Sequence, residues 1–287
     1  MRIILLTGIS GSGKSVGLNA LEDAGYFCVD NLPPSLLRAL VDTRLSEGQQ
    51  TLAVAVDARS ASSLSELPAD ISWLREQGHH VEVVFLTAKT ESLINRFSET
   101  RRSHPLSHRI APDAQPSDIP TLVECIWQER EMLSAIEGLG HLIDTSGLSA
   151  NQLRAWIKEL VQRDGLPLSL LFESFAFKFG VPLDADLVFD VRVVPNPFYD
   201  KALRPLTGRD QPVIDFLQAQ SDATRLLSDI RGFIERWLPA YQRDNRSYLT
   251  VAIGCTGGQH RSVFMVEQLG QHFKDQARVL IRHRELD

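Results

Sequence analysis

Cysteine is scarce: Cys28, Cys125 and Cys255 are the only three in 287 residues. The count is odd, the spacings are wide and no C-x-x-C pair occurs, which excludes a disulfide framework and a cysteine-rich zinc module. Long hydrophobic runs are missing too. Nothing approaches the roughly 20 consecutive apolar residues of a membrane helix, so no membrane partner is expected. The Met1-Arg2-Ile3 start runs into a short apolar stretch of strand type, not a cleavable leader, and a cytoplasmic location is the expectation. A basic excess is equally lacking. The net charge is −6; residues 1–165 carry 15 Lys+Arg against 21 Asp+Glu, and residues 166–287 carry 15 against 15. The electrostatic footprint of a strongly basic nucleic-acid-binding domain is therefore absent. Apolar content of 43% with 23% charged residues fits a soluble globular protein long enough for two cores.

What is present begins at residue 8. Gly8-Ile9-Ser10-Gly11-Ser12-Gly13-Lys14-Ser15 is a complete G-x-x-x-x-G-K-[ST] phosphate loop. Arg2 to Thr7 before it reads as a buried strand, and Val16 to Asp23 after it reads as a helix stopped by Gly25. The glycines let backbone N–H groups turn inward around a polyphosphate, and the helix adds the positive end of its dipole. Lys14 then neutralises phosphate charge, and the Ser15 hydroxyl is suited to ligate Mg²⁺. A second acid at a strand end normally helps to hold that metal. Asp57, after the apolar Leu52 to Val56, fits this role, with Asp30 as its competitor.

The remaining pattern alternates strands and helices. Tyr26–Asp30, Thr51–Val56, Val81–Thr87 and Leu142–Thr145 read as strands, and Leu36–Leu45 and Asn151–Arg163 as helices. Asp164-Gly165-Leu166-Pro167 marks a boundary. Beyond it come strands at 168–177, 185–194, 248–255 and 278–282, with helices at 213–220, 224–238 and 261–273. The expected architecture is α/β throughout. An N-terminal P-loop NTPase domain of nucleotide-kinase type, built on a parallel sheet, occupies residues 1–163, and a second α/β domain with a glycine-rich anion-binding loop occupies residues 168–287.

Two further stretches carry chemistry. Arg96 to Pro105 is the most basic run of the first domain, reads as a helix ended by Pro105, and has two readings: a lid that brings arginines to phosphates, or a solvated basic face. Cys255-Thr256-Gly257-Gly258-Gln259-His260-Arg261-Ser262 again lies between an apolar strand and a helix. Its glycines suit an anion nest with Arg261 as the fixed cation. The C-x-x-x-x-x-R-S spacing also satisfies a cysteine phosphatase, but Gly254 stands where those enzymes carry histidine, so binding of a phosphorylated ligand is the preferred reading. Arg192, Asn196, Lys201 and Arg204 are candidates to converge on the same pocket.

Over its whole length the chain resembles the RapZ/YvcJ-type P-loop nucleotide-binding proteins of bacteria. The residues that carry the likeness are the loop at 8–15, A-L-E-D-A-G-Y-F-C-V-D-N-L-P at 20–33, T-R-R-S-H-P at 100–105, S-F-A-F-K-F-G-V-P-L-D-A-D at 174–186, F-D-V-R at 189–192, P-N-P at 195–197 and the run at 245–262. The resemblance implies ATP at Gly8 to Ser15, GTP at Asp57-Ala58-Arg59-Ser60, and weak ATPase and GTPase activity with Lys14, Ser15 and Asp57 as its working residues. It further implies that the second domain senses an amino-sugar phosphate through the glycine nest at 254–262, including Cys255, His260 and Arg261, with Arg192 and Asn196 as the converging candidates read from the residues, and presents a small regulatory RNA to a ribonuclease. A homo-oligomer is expected. A regulatory protein is thus the leading expectation, and a P-loop small-molecule kinase the alternative.

Overall fold

The structure is a computed structural model that describes residues 1–57, 64–108, 120–161, 168–243 and 248–286. The chain divides into two compact units, Met1–Arg163 and Asp164–Asp287.

The first unit is a parallel sheet of five strands: β1 (Arg2–Gly8), β2 (Phe27–Val29), β3 (Thr51–Ala55), β4 (His80–Thr87) and β5 (His141–Asp144), in the order β2-β3-β1-β4-β5. Strand β1 is central, and Ile3, Ile4, Leu5 and Leu6 are all buried because both faces of the sheet are covered. Six helices belong to this unit among the described residues: α1 (Lys14–Asp23), α2 (Leu37–Ser46), α3 (Leu67–Glu76), α4 (Thr90–Thr100), α5 (Leu122–Glu137) and α6 (Ala150–Val161). Helix α5 starts at a reciprocal cap: the Thr121 hydroxyl accepts the Glu124 N–H at 3.3 Å, and the Glu124 carboxylate accepts the Thr121 N–H at 2.7 Å.

The second unit is a parallel sheet of four strands: β6 (Ser169–Ala176), β7 (Leu187–Asp190), β8 (Tyr248–Cys255) and β9 (Arg278–His283), in the order β7-β8-β6-β9. Helices α7 (Gln211–Gln218), α8 (Ser221–Arg243) and α9 (Arg261–Phe273) complete it among the described residues. Phe172, Val251, Ile253, Leu269 and Phe273 lie in its core.

The sequence predicts β7 over residues 185–194, and the strand is much shorter. Asp186 turns its carboxylate onto the Thr250 N–H at 2.8 Å, and Asp190 caps the Arg192 N–H at 2.9 Å, so polar side chains end the ladder on both sides. Helix α4 is likewise shorter than the basic run suggests. It stops at Thr100 because Arg101 takes a left-handed φ of 51°, well before Pro105. Helix α8 errs the other way and continues through Pro239 to Arg243. Tyr241 packs against the core beyond the proline, and such tertiary burial outweighs one missing hydrogen bond.

One glycine sets how β1 feeds the phosphate loop. Gly8 has φ 133°, and a Cβ built on it would sit 2.0 Å from the Leu86 carbonyl oxygen of β4. Gly8→Ala is expected to destabilise the first unit by at least about 2 kcal/mol, since the obstacle is backbone and cannot turn away. Urea unfolding followed by tryptophan fluorescence measures this, and an unchanged midpoint would refute the close approach.

Candidate functional site

The loop at 8–15 opens on a cavity of about 430 Å³. Ser10 to Val16 line it from the β1–α1 side, Asp57 from the end of β3, Arg96, Glu99, Arg102 and Ser103 from α4 and the segment beyond it, and Thr145, Leu148 and Leu153 from the β5–α6 side. Gly11 and Gly13 take φ values of 84° and 105°, which a side chain would resist. The Lys14 ammonium reaches back to the Gly8 carbonyl at 2.6 Å. The structure therefore gathers Lys14, Ser15 and Asp57 around one space. Asp30 is exposed and is not part of that lining. Ala58, Arg59 and Ser60, the rest of the expected GTP segment, lie outside the described residues.

Arg96 ties two loops together. Its guanidinium donates to the carbonyl of Gly11 at 3.0 Å, to the Thr145 hydroxyl at 2.9 Å and to the Thr145 carbonyl. Burial pulls its pKa down, against the opposing pull of Asp144 and Glu99. The Thr145 hydroxyl in turn lies 2.9 Å from the Ser12 carbonyl. Of the basic run, Arg96 and Arg102 reach the cavity, and Arg101 does not line it.

Behind the loop lies a cluster that the sequence reading did not anticipate. Glu129 of α5 is wholly buried and accepts the Ser10 N–H at 2.8 Å, the Ser10 hydroxyl at 2.7 Å and His104 Nε2 at 3.1 Å. His104 Nδ1 accepts the Leu106 N–H at 3.2 Å, which leaves the ring proton on Nε2, directed at Glu129. Burial alone would raise the Glu129 pKa. Donation from His104, the charge of Lys14 and both bonds from Ser10 outweigh it and lower the value. A signal was available, because Glu129 falls on the apolar stripe of α5 formed by Cys125, Ile126, Leu133 and Ile136.

In the second unit, Cys255 ends β8 and α9 begins at Arg261. The Cys255 thiol lies 3.1 Å from the Ser262 hydroxyl and accepts the Gly258 N–H at 3.2 Å. Arg261 is nearly buried and directs Nη1 at the carbonyls of Arg192 and Val194, both at 2.9 Å, and Nη2 at the Thr256 hydroxyl at 3.3 Å. It thereby fixes the loop after β7 against the glycine loop. His260 Nε2 meets the Leu203 carbonyl at 3.2 Å. Asn196 caps the turn at Phe198 at 3.3 Å, and Gln259 and Thr256 are exposed. Gly258 has φ 70°, and the side chain of Glu285 covers the place where a Cβ would stand. Arg192 pairs with Asp190 at 2.7 Å and stacks on Phe177 at 4.1 Å, and Arg204 stacks on Phe198 at 4.7 Å. Lys201 is exposed.

The family profile described as the RapZ-like N-terminal domain matches residues 1–165, and that described as the RapZ C-terminal domain matches residues 168–287. The chain belongs to the RapZ family. A nucleotide-binding protein of Herminiimonas arsenicoxydans is 73% identical over the full length of both chains. One of Paraburkholderia phymatum is 57% identical, covering 99% of this chain and 96% of its own. Among solved structures, shikimate kinase from Bacteroides thetaiotaomicron is similar at 14% identity and a TM-score of 0.38, over 56% of this RapZ-family chain and 99% of the kinase. Among the described residues, no helix is long and apolar enough to cross a membrane, and no group of three or more His, Cys, Asp or Glu is placed to hold a metal.

The lowered pKa of Glu129 has a sign. Its folded value lies below the ordinary 4.5, so its contribution to stability is present above that pH and is lost as the pH falls through the lower value. Glu129→Gln should therefore lower stability near neutrality and flatten the acid limb. Urea unfolding from roughly pH 7 down to pH 3 tests this, and parallel acid limbs for the two proteins would contradict it.

Proposed function

We propose that this protein is a nucleotide-binding regulator with weak ATPase and GTPase activity. The observation that carries the reading is the convergence of Lys14, Ser15 and Asp57 on a cavity that the phosphate loop lines. Lys14 supplies a cation for β- and γ-phosphate charge, and the N-terminus of α1 supplies backbone N–H groups. Ser15 and Asp57 offer the hard oxygen ligands that suit Mg²⁺, Asp57 through water. Bound there, Mg²⁺ would neutralise charge developing on the phosphates. Arg102 is an exposed arginine that lines the same space.

Asp57 is the first residue of the segment expected to take GTP, and it lines the same cavity as the phosphate loop. This supports one site for both nucleotides. In the second unit, a glycine loop at the start of a helix and the anchored 192–196 loop beside it suit a phosphorylated small molecule, an amino-sugar phosphate by the family likeness. The same unit pairs cations with aromatic rings at Arg192–Phe177, Lys178–Phe179 and Arg204–Phe198, with Tyr199 81% exposed nearby in sequence. Such platforms favour stacking of unpaired bases, which supports small-RNA binding and presentation to a ribonuclease.

A kinase reading is favoured by Arg96 and Arg102 on the cavity wall. A kinase requires turnover stimulated many-fold by one phosphorylatable compound; a regulator does not. Equilibrium binding separates one site from two. ATP and GTP should displace each other completely, and Lys14→Ala should weaken both by at least about tenfold through loss of a charge-assisted contact. GTP binding that persists at saturating ATP would establish a second site and remove the single-site reading.

A further inference from the structure

We propose that Glu129 and His104 are positioning residues that hold the phosphate loop and the Arg102-bearing segment together as one nucleotide-binding unit. The inference rests on the nucleotide reading above.

Glu129 holds the phosphate loop at Ser10, whose N–H and hydroxyl both point at the carboxylate, at 2.8 and 2.7 Å. That backbone N–H is committed to Glu129, and the Ser12 N–H is committed to the Ile9 carbonyl at 3.0 Å, so the loop holds its shape through its own bonds and through α5. The second attachment is His104 Nε2 at 3.1 Å. His104 lies two residues after Arg102, is 2% exposed, and is held in turn by the Leu106 N–H and by Phe97 of α4, ring to ring at 5.3 Å. Helix α4 has already ended at the left-handed Arg101, so nothing helical fixes Arg102. Its position depends on the residues that follow, of which His104 and Leu106 are buried, His104 the nearer to Arg102. A single carboxylate thus joins the two walls from which the phosphate loop and Arg102 line the cavity.

Removing this joint has a consequence that removing an ordinary buried group lacks. Loss of a merely structural carboxylate lowers stability and leaves the value of Arg102 to binding unchanged. Loss of a positioning carboxylate uncouples Arg102 from the loop, so Arg102 loses much of its value. A double-mutant cycle measures that difference.

The experiment uses the full chain and an ATP analogue with a fluorophore on its ribose, in the presence of Mg²⁺. Binding is measured for the wild type, Arg102→Ala, Glu129→Gln and the double variant. Arg102→Ala should weaken binding about tenfold in the wild type, as a charge-assisted contact to phosphate implies, and by less than about threefold beside Glu129→Gln. His104→Ala should reduce the Arg102 factor in the same way. His104→Gln keeps an amide N–H able to reach Glu129 and should preserve it. Those two backgrounds carry the test if Glu129→Gln does not fold, which the thermal midpoint shows. An Arg102 factor that is the same in every background would overturn the inference and leave the nucleotide reading intact. Absence of saturable binding to the wild type would overturn both.

Discussion

Glu129 is a carboxylate from which water is excluded, and a charge in that position costs several kcal/mol unless donors surround it. Ser10 supplies two and His104 a third. The arrangement constrains three pieces of chain that are far apart in sequence: the turn after β1, the segment after α4 and the face of α5. Arg96 makes a second tie, between Gly11 and Thr145. The cavity is thereby framed by charged side chains held from behind. Its interior keeps the groups that phosphate requires, and the rigid frame places them before any ligand arrives, which limits the entropy lost on binding.

The two units use the same local device differently. Each feeds a parallel strand through a glycine loop into a helix, at Gly8 to Ser15 and at Cys255 to Ser262. In the first, the loop opens on a sizeable cavity with Lys14 at its base. In the second, Arg261 is committed to the carbonyls of Arg192 and Val194, and Glu285 lies over Gly258. The second unit also holds a buried polar line, Ser174 to His283 to Glu267 at 2.7 and 3.0 Å, which joins β6, β9 and α9. Ser174 is fully buried, so this line serves packing and not attack on a substrate.

The sheets were legible because parallel strands buried on both faces are nearly continuous apolar runs: β8 and α9 match their expected bounds at Tyr248–Cys255 and Arg261–Phe273. The phosphate loop was legible because its spacing follows from the shape of a polyphosphate. The failures share a cause, which is that side chains distant in sequence decide the outcome. Asp186 shortens β7 by bonding to Thr250, and Tyr241 extends α8 past Pro239. The Glu129–His104 joint escaped notice because the T-R-R-S-H-P run that contains His104 does not reveal its distant partner; each residue gains meaning only from the other and from Ser10. A charged residue on the apolar stripe of α5 was the one local sign of it.

The most direct measurement is a crystal structure of the protein grown with Mg²⁺ and a non-hydrolysable ATP analogue. The account expects the phosphates within the Gly8–Ser15 loop, with Lys14 and Ser15 beside them, Arg102 lining the same cavity, and the Ser10 N–H still directed at Glu129. A nucleotide bound elsewhere, or a Ser10 N–H turned from Glu129 to the phosphates, would contradict it.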